Sequence, residues 1–215
     1  MKKNQVIAIT NEKYPKKLKE IYSPPKCLYV VGDSSILNKP CLAMVGCRKY
    51  SEYGKKSAYY FSYNLAKLGY IIVSGLAVGI DSFSHLGAIS AKGKTIAVIG
   101  SGLDNIYPKE NIELAKKIIE TGGCIVSEYP LGTNAEKKHF PARNRIISGV
   151  SEAVIVVEAQ EKSGSLITAD FALEQGREVF AVPGNINSKN SVGTNYLIQE
   201  GAFPILNYKD VLEKV

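Results

Sequence analysis

The amino-acid sequence predicts a doubly wound α/β fold, a mostly parallel sheet with helices on both faces, and three observations lead there. Short apolar runs recur along the chain, β-branched and nearly continuous, as strands covered on both faces should be. Longer mixed segments between them carry apolar residues at helical spacing. Turns rich in glycine and hydroxyl residues follow the runs. Strand–helix–strand alternation requires parallel pairing through crossovers, and the crossovers cover both faces of the sheet with helices.

Taken in order, the first forty residues stand apart. KYPKKLKEIYSPPKCLYVVGDSSIL holds prolines, lysines and one short apolar run at Cys27–Val31. It reads as a small extension, 1–40, packed on a core domain that spans 41–215. LAMVG (42–46) is the first core strand, followed by a helix on which Phe61, Leu65 and Leu68 repeat. YIIVSG (70–75) and TIAVIG (95–100) are the next two strands, and Leu114, Ile118 and Ile119 mark the helix after them. CIVSE (124–128), AVIVVE (153–158) and EVFAVPG (178–184) complete the core, with Leu166, Ala169 and Leu173 on the helix between the last two. AFPILNYKDVLEKV, after Gly201, adds one short strand and a closing helix. No repeat, low-complexity tract or long linker interrupts this order.

The bulk numbers agree with such a fold. A chain of 215 residues buries a proper core, and 45% hydrophobic with 22% charged residues describes an ordinary globular protein. The net charge of +7 favours a polyanionic partner, although lysines also serve solubility alone. Cys27, Cys41, Cys47 and Cys124 are irregularly spaced and only two histidines accompany them, which argues against a disulfide framework or a zinc site. Neither a signal peptide nor a membrane-spanning run is visible, so the expectation is a cytoplasmic protein without metal or membrane.

In open parallel sheets ligands bind beyond the carboxyl ends of the strands. The first core strand leads into GCRKYSEYG, with Arg48 two residues after Gly46, and the second into SGLAVGID, with Ser74 and Gly75. The third is followed by GSGLDNIYPKEN. After the fourth comes SEYPLGTNAEKKHFPARNR, carrying Lys137, Lys138, Phe140, Arg143, Asn144 and Arg145. After the fifth, Ser163, Gly164, Ser165 and Thr168 surround a helix start, and after the sixth comes PGNINSKNSVGTN. Glycines let backbone N–H groups approach a phosphate and hydroxyls add donors. Arg143, Asn144 and Arg145 read as the first turn of a helix, where unpaired N–H groups and the dipole attract anions. Together the loops predict a basic, phosphate-binding rim.

Several conventional motifs fail. GAISAKGKT has five residues between its glycines where a P-loop has four, and leads from a helix into a strand. GSGLDN lacks the third glycine of a dinucleotide fingerprint, and no GxSxG elbow exists. Asp81 and His85 stand four apart, open to reading as an acid–base pair or as a helix-start aspartate and a packed histidine. Tyr50, Tyr53, Tyr59, Tyr60 and Tyr63 crowd one region, as a base-stacking platform or as ordinary helix packing.

VSGLAVGIDSFSH, TIAVIGSGLDNIYPKEN, SEYPLGT, HFPARNRIISG, SGSLITADFALEQGREVFAVPG and GTNYLIQEGA run in one order. Together these blocks resemble the DNA-processing protein A family, also called DprA or Smf, over nearly the whole chain. The resemblance implies an extended Rossmann-like fold that binds single-stranded DNA and hands it to the RecA recombinase during natural transformation. It also implies a homodimer, with no catalytic turnover and no cofactor. The family's glycine–serine–arginine turn falls on Gly46, Cys47 and Arg48, with cysteine in place of serine. Its lysine-and-phenylalanine loop resembles Lys137, Lys138, His139 and Phe140, its RNR motif Arg143, Asn144 and Arg145, and its SGS block Ser163, Gly164 and Ser165. On this reading Phe140 stacks on a base while Arg48, Arg143, Arg145 and a lysine neutralise phosphates. Many relatives carry an N-terminal sterile-alpha-like or helix–hairpin–helix module and a C-terminal winged helix, and this chain has room for neither.

A second reading is an enzyme that binds or hydrolyses a nucleotide, like the phosphoribohydrolases of the lysine-decarboxylase-like group. Their PGGxGTxxE loop is replaced here by EKSGSLITAD, and neither Glu158 nor Glu174 has the right spacing. A third is a pocket that senses a nucleotide.

Overall fold

The computed structural model describes residues 4–215. Its strands are β1 (Gln5–Ala8), β2 (Cys27–Gly32), β3 (Cys41–Gly46), β4 (Ile71–Ser74), β5 (Thr95–Ile99), β6 (Cys124–Ser127), β7 (Ala153–Glu158), β8 (Glu178–Ala181) and β9 (Phe203–Pro204). Its helices are α1 (Lys16–Lys19), α2 (Glu52–Lys67), α3 (Ile80–Ser90), α4 (Ile112–Glu120), α5 (His139–Gly149), α6 (Gly164–Glu174), α7 (Val192–Gln199) and α8 (Tyr208–Leu212). One nine-stranded sheet runs β1-β2-β6-β5-β4-β3-β7-β8-β9. From β6 to β9 every pair is parallel. The doubly wound architecture expected from the sequence is the one that forms.

Alternation along each strand divides the core into two layers. Cys41, Ala43 and Val45 of β3 pack with Val73, Val98, Val126 and Val156 against Ile146 and Ile147 of α5 and Ala169 and Ala172 of α6. Leu42 and Met44 point the other way, to Ala58, Phe61 and Leu65 of α2 and Ile80 and Ala88 of α3. Both faces are apolar, which explains why these strands read as continuous hydrophobic runs.

The N-terminal region differs from the expected extension. Instead of packing on the sheet, β1 and β2 belong to it, running antiparallel beside β6. The β2 pattern alternates, with Leu28 and Val30 fully buried on one face and Tyr29 and Val31 half-buried against the layer of Ile118 and Ile125 on the other. Val30 lies opposite Val126, a pairing across nearly a hundred residues that local patterning does not reveal.

Asp33, directly after β2, ties this edge down. Its carboxylate accepts from the Ser35 amide at 3.0 Å and hydroxyl at 2.6 Å, and from Lys94 at 2.9 Å. The Ser35 hydroxyl first and Lys94 second draw its pKa down to about 2. A depressed carboxylate stabilises the fold above its unfolded pKa of about 3.9 and loses that contribution as pH falls towards 2. Asp33→Asn is therefore expected to be less stable than the parent at neutral pH by about 1 kcal/mol, reduced by its partial exposure. The gap should close in denaturant melts near pH 2 to 3, and a constant gap across pH counts against the ion pair.

Strand order reverses between β3 and β7, because the chain winds outward from β3 through β4, β5 and β6, then returns to β7 on its other side. Loops leaving the two strands diverge, and a crevice opens at their carboxyl ends.

Candidate functional site

A cleft of about 590 Å³ occupies this crevice, with a second of about 610 Å³ beside it. Arg48, Ala77, Tyr107, Phe140 and Arg143 line both, so the two form one continuous trough. The turn after β3 must be small. A Cβ on Gly46 would lie 2.9 Å from the Glu158 carbonyl oxygen and 2.8 Å from an Ile80 side-chain carbon. Cys47 keeps the compact size required next to it and is buried, which pushes its thiol pKa up. Glu158 at the end of β7 is also buried. It accepts from the Ser51 amide at 3.0 Å, from the Ser51 hydroxyl and from Asn190 at 3.3 Å. That carboxylate binds three loops together and has little capacity left for other chemistry.

The trough's lip is aromatic and cationic. The Arg48 guanidinium stands over the Phe140 ring at 5.4 Å from its centroid, and Tyr107 tilts against the same ring at 5.7 Å. Arg48 is exposed, Phe140 half-buried and Tyr107 exposed, so a flat ligand and a negative charge can both be met here. On the far wall α6 begins. Ser163 caps it weakly, accepting from the Ser165 amide at 3.4 Å, and its hydroxyl meets that of Ser165 at 2.7 Å. Ser163, Gly164, Ser165 and Thr168 all face the cleft. The positive end of a three-turn helix therefore points into it, a geometry that favours anions. Asn144 is committed to the frame: its amide donates to the Gly164 carbonyl at 3.1 Å and fastens α5 to the start of α6.

The expected arginine pair points to two different places. Helix α5 starts at His139, not at Arg143, because Pro141 in its first turn needs no N–H partner. Arg143 and Arg145 thus lie beyond the first turn, and two residues along a helix turn the side chain about 200° around its axis. Arg143 points to the sheet and is 4% exposed. It donates to the Val98 carbonyl, and Asp81 is the carboxylate that faces it, while Nε has no partner. Burial lowers its pKa to about 10, opposed by Asp81. Asp81 in turn accepts from the amides of Gly75 at 3.1 Å and Ala77 at 3.3 Å, and burial pushes its pKa up. His85 bonds the Thr95 hydroxyl at 2.7 Å, so each member of the possible acid–base pair serves its own partners. Burial drives the imidazole pKa down to about 3 and keeps it neutral.

Arg145 turns away from the cleft. It forms a two-pronged ion pair with Glu128 at 2.8 and 2.6 Å and donates to the Ser23 carbonyl at 2.9 Å. The reading of Arg145 as a rim cation is replaced by a structural one, since its charge is already matched and it clasps the N-terminal segment. Arg145→Ala is expected to cost about 2–3 kcal/mol in denaturant unfolding, as for hydrogen bonds between charged groups with little solvent. An unchanged midpoint would mean the clasp contributes nothing.

Ser74 also leaves the expected rim, because its hydroxyl is buried against the Met44 carbonyl at 2.6 Å. Gly75 remains, lining the second cleft. Lys137 lines the first, whereas Lys138 is outside both and pairs with Glu136 at 2.9 Å. Sequence reasoning missed Tyr107, Lys49 and Lys109, which the clefts include. Each sits in a strand-end loop already noted for its glycines; for Tyr107 and Lys109 the Tyr-Pro-Lys sequence at such an end was the available signal, and for Lys49 its place beside Arg48. Among the described residues no cluster of His, Cys, Asp and Glu could hold a metal ion. No helix among them is long and apolar enough to cross a membrane.

Comparison with known proteins agrees with this architecture. The family model described as DNA recombination-mediator protein A matches residues 5–215. A DNA processing protein DprA from Bacillus subtilis (strain 168) is 48% identical over 97% of this chain and 70% of its own length. The X-ray structure of DprA from Streptococcus pneumoniae superposes with a TM-score of 0.93 at 46% identity, over 99% of this chain and 74% of that one. A Helicobacter pylori structure, described as giving insight into a single-stranded DNA binding mode of DNA processing protein A, superposes at 0.88 with 34% identity. It covers 99% of this chain and 97% of that one. The chain spans about half the length of other curated relatives it matches.

Proposed function

The chain belongs to the DNA recombination-mediator protein A family, and from that premise we propose that its trough binds single-stranded DNA. Its role lies in DNA processing during recombination. The observation that carries the reading is Arg48 over Phe140 with Tyr107 alongside, a stacking surface and a phosphate cation in one place. A base presents a face without sequence information, so binding through stacking and phosphates has little sequence preference. The anion-favouring start of α6 and Lys49, Lys109 and Lys137 extend the positive path on either side. The Helicobacter pylori relative, studied for single-stranded DNA binding, supports the same ligand class.

The finer role is protection of incoming strands and their delivery to the RecA recombinase in natural transformation, within the cytoplasm. It rests on family resemblance, with no surface here assigned to the recombinase. We propose that the protein acts as a homodimer. Ile186, Val192, Tyr196 and Leu206 are exposed around α7 and the last strand, with Leu206 at 78% and Ile186 at 86%. Tyr196→Asp with Leu206→Asp is expected to convert a dimer to a monomer in light scattering at micromolar concentration. A wild-type monomer there removes the dimer proposal.

The competing nucleotide-hydrolase reading needs a free carboxylate in the cleft. In the first cleft Asp81 is the lining carboxylate and is taken by two amides, while the second adds Glu110, an exposed residue of the loop before α4. The protein is accordingly proposed to act by binding and not by turnover. Incubation with nucleoside monophosphates tests this, since released base would establish an enzyme. The decisive experiment for the ligand is titration with oligothymidine and a duplex of equal length across salt concentrations. Preference for the single strand with a steep salt slope is expected, and equal or absent binding to both overturns the proposal.

A further inference from the structure

We propose that a single strand leaving the trough continues over the outer face of α2 beside α3, on rings and lysines outside the cleft. This rests on the reading of the trough as a polynucleotide site. The starting point is the tyrosine crowding that the trough does not use. On α2 the residues facing the core are Ala58, Phe61, Ser62, Leu65 and Ala66. The tyrosines stand off that stripe: Tyr59 is 41% exposed, and its ring runs nearly parallel to that of Tyr63, 15° between planes and 6.1 Å between centroids. Tyr60 packs on Phe61 and Tyr208, and Tyr53 donates to the Pro183 carbonyl, but core packing does not account for Tyr59 and Tyr63.

The path is continuous with the trough. Val78, which lines the second cleft, is exposed in the turn before α3. Phe83 follows on α3, only partly buried, with Tyr50 edge-on at 4.7 Å and the Lys55 ammonium 5.6 Å above its ring. Tyr59 and Tyr63 come next along α2, then Lys67, four residues further on. From Lys55 to Lys67 the helix advances about 18 Å, room for several nucleotides. Lys56 and Lys67 are exposed with no ion-pair partner among the described residues, while Lys55 pairs with Glu52 at 3.5 Å. Rings at one-turn intervals with unpaired ammoniums beside them are the chemistry of a sequence-indifferent single-strand track. A protein partner is a less natural occupant, because lysines, which flank these rings, are depleted at the centre of protein interfaces.

The test compares two lengths of oligothymidine, one of about 6 nucleotides that fills the trough alone and one of about 30 that extends beyond it. Tyr59→Ala combined with Tyr63→Ala is expected to weaken the long strand about tenfold, at the lower end of what removing one to two base stacks costs, and the short one less than twofold. Tyr59→Phe with Tyr63→Phe should restore the long-strand affinity, since the ring and not the hydroxyl acts. Equal affinities of parent and alanine variant for the long strand overturn the track. So does a change of oligomeric state in the alanine variant, which would make this face a protein interface. Failure of the parent to bind even the short strand is a different result, and removes the trough reading itself.

Discussion

Phe140→Ala is expected to weaken oligothymidine binding by about five- to 150-fold, the value of one base stack, with unfolding stability moved by less than about 1 kcal/mol. Arg48→Ala should weaken it comparably, and should also lower the salt slope by about 0.7 for each single-strand phosphate that the guanidinium had neutralised. The phenylalanine variant leaves that slope unchanged, because a neutral ring releases no counterions. The guanidinium sits 5.4 Å from the ring centroid, so each side chain positions the other. The double variant is then expected to lose less than the sum of the two, by about 0.5–1 kcal/mol. Exposure protects the fold: Arg48 makes no ion pair among the described residues, and Phe140 touches Tyr107 at the lip and not the buried layers. If neither substitution changes affinity at moderate salt, the trough is not the binding site.

The sheet was legible because its six core strands are buried on both faces and therefore stand out as apolar runs. The edge was not. In β1 only Ile7 is buried, and β2 alternates, so neither carries the signal of a central strand; their pairing with β6 is set by contacts distant in sequence. At the site the glycine and hydroxyl turns were readable, since strand ends converge in any open parallel sheet. The RNR motif does not present its three side chains together because adjacency in sequence is not adjacency on a helix. Moving the helix start back four residues, from Arg143 to His139, sends Arg143 into the core, Arg145 to Glu128 and leaves Asn144 between them on α6. Ser74 turns from the rim for a related reason. The last residue of a strand still points its hydroxyl across the sheet, here to Met44, and the rim begins one residue later at Gly75.

Asp81→Ala is expected to have the largest effect on the fold, about 3–5 kcal/mol, from leaving a buried charge without its counterpart. Asp81 holds the amides of Gly75 and Ala77 and compensates Arg143, so its loss strips acceptors from two buried or half-buried N–H groups and exposes the guanidinium to an apolar layer. For a chain of this size that corresponds to a melting temperature lower by roughly 6–20 °C. Gly75→Ala should reproduce much of the loss from the other side. Its added Cβ would lie 2.7 Å from both the Arg143 Cζ and the Asp81 Oδ2, in a space that only hydrogen now occupies. Asp81→Asn, which keeps an oxygen for the amides but not the charge, is expected to fall between parent and alanine variant. That ordering separates the amide contribution from the ionic one. An Asp81→Ala protein that melts with the parent would mean that Arg143 is solvated through the trough it lines, and would transfer the guanidinium from the frame of the site to its binding surface.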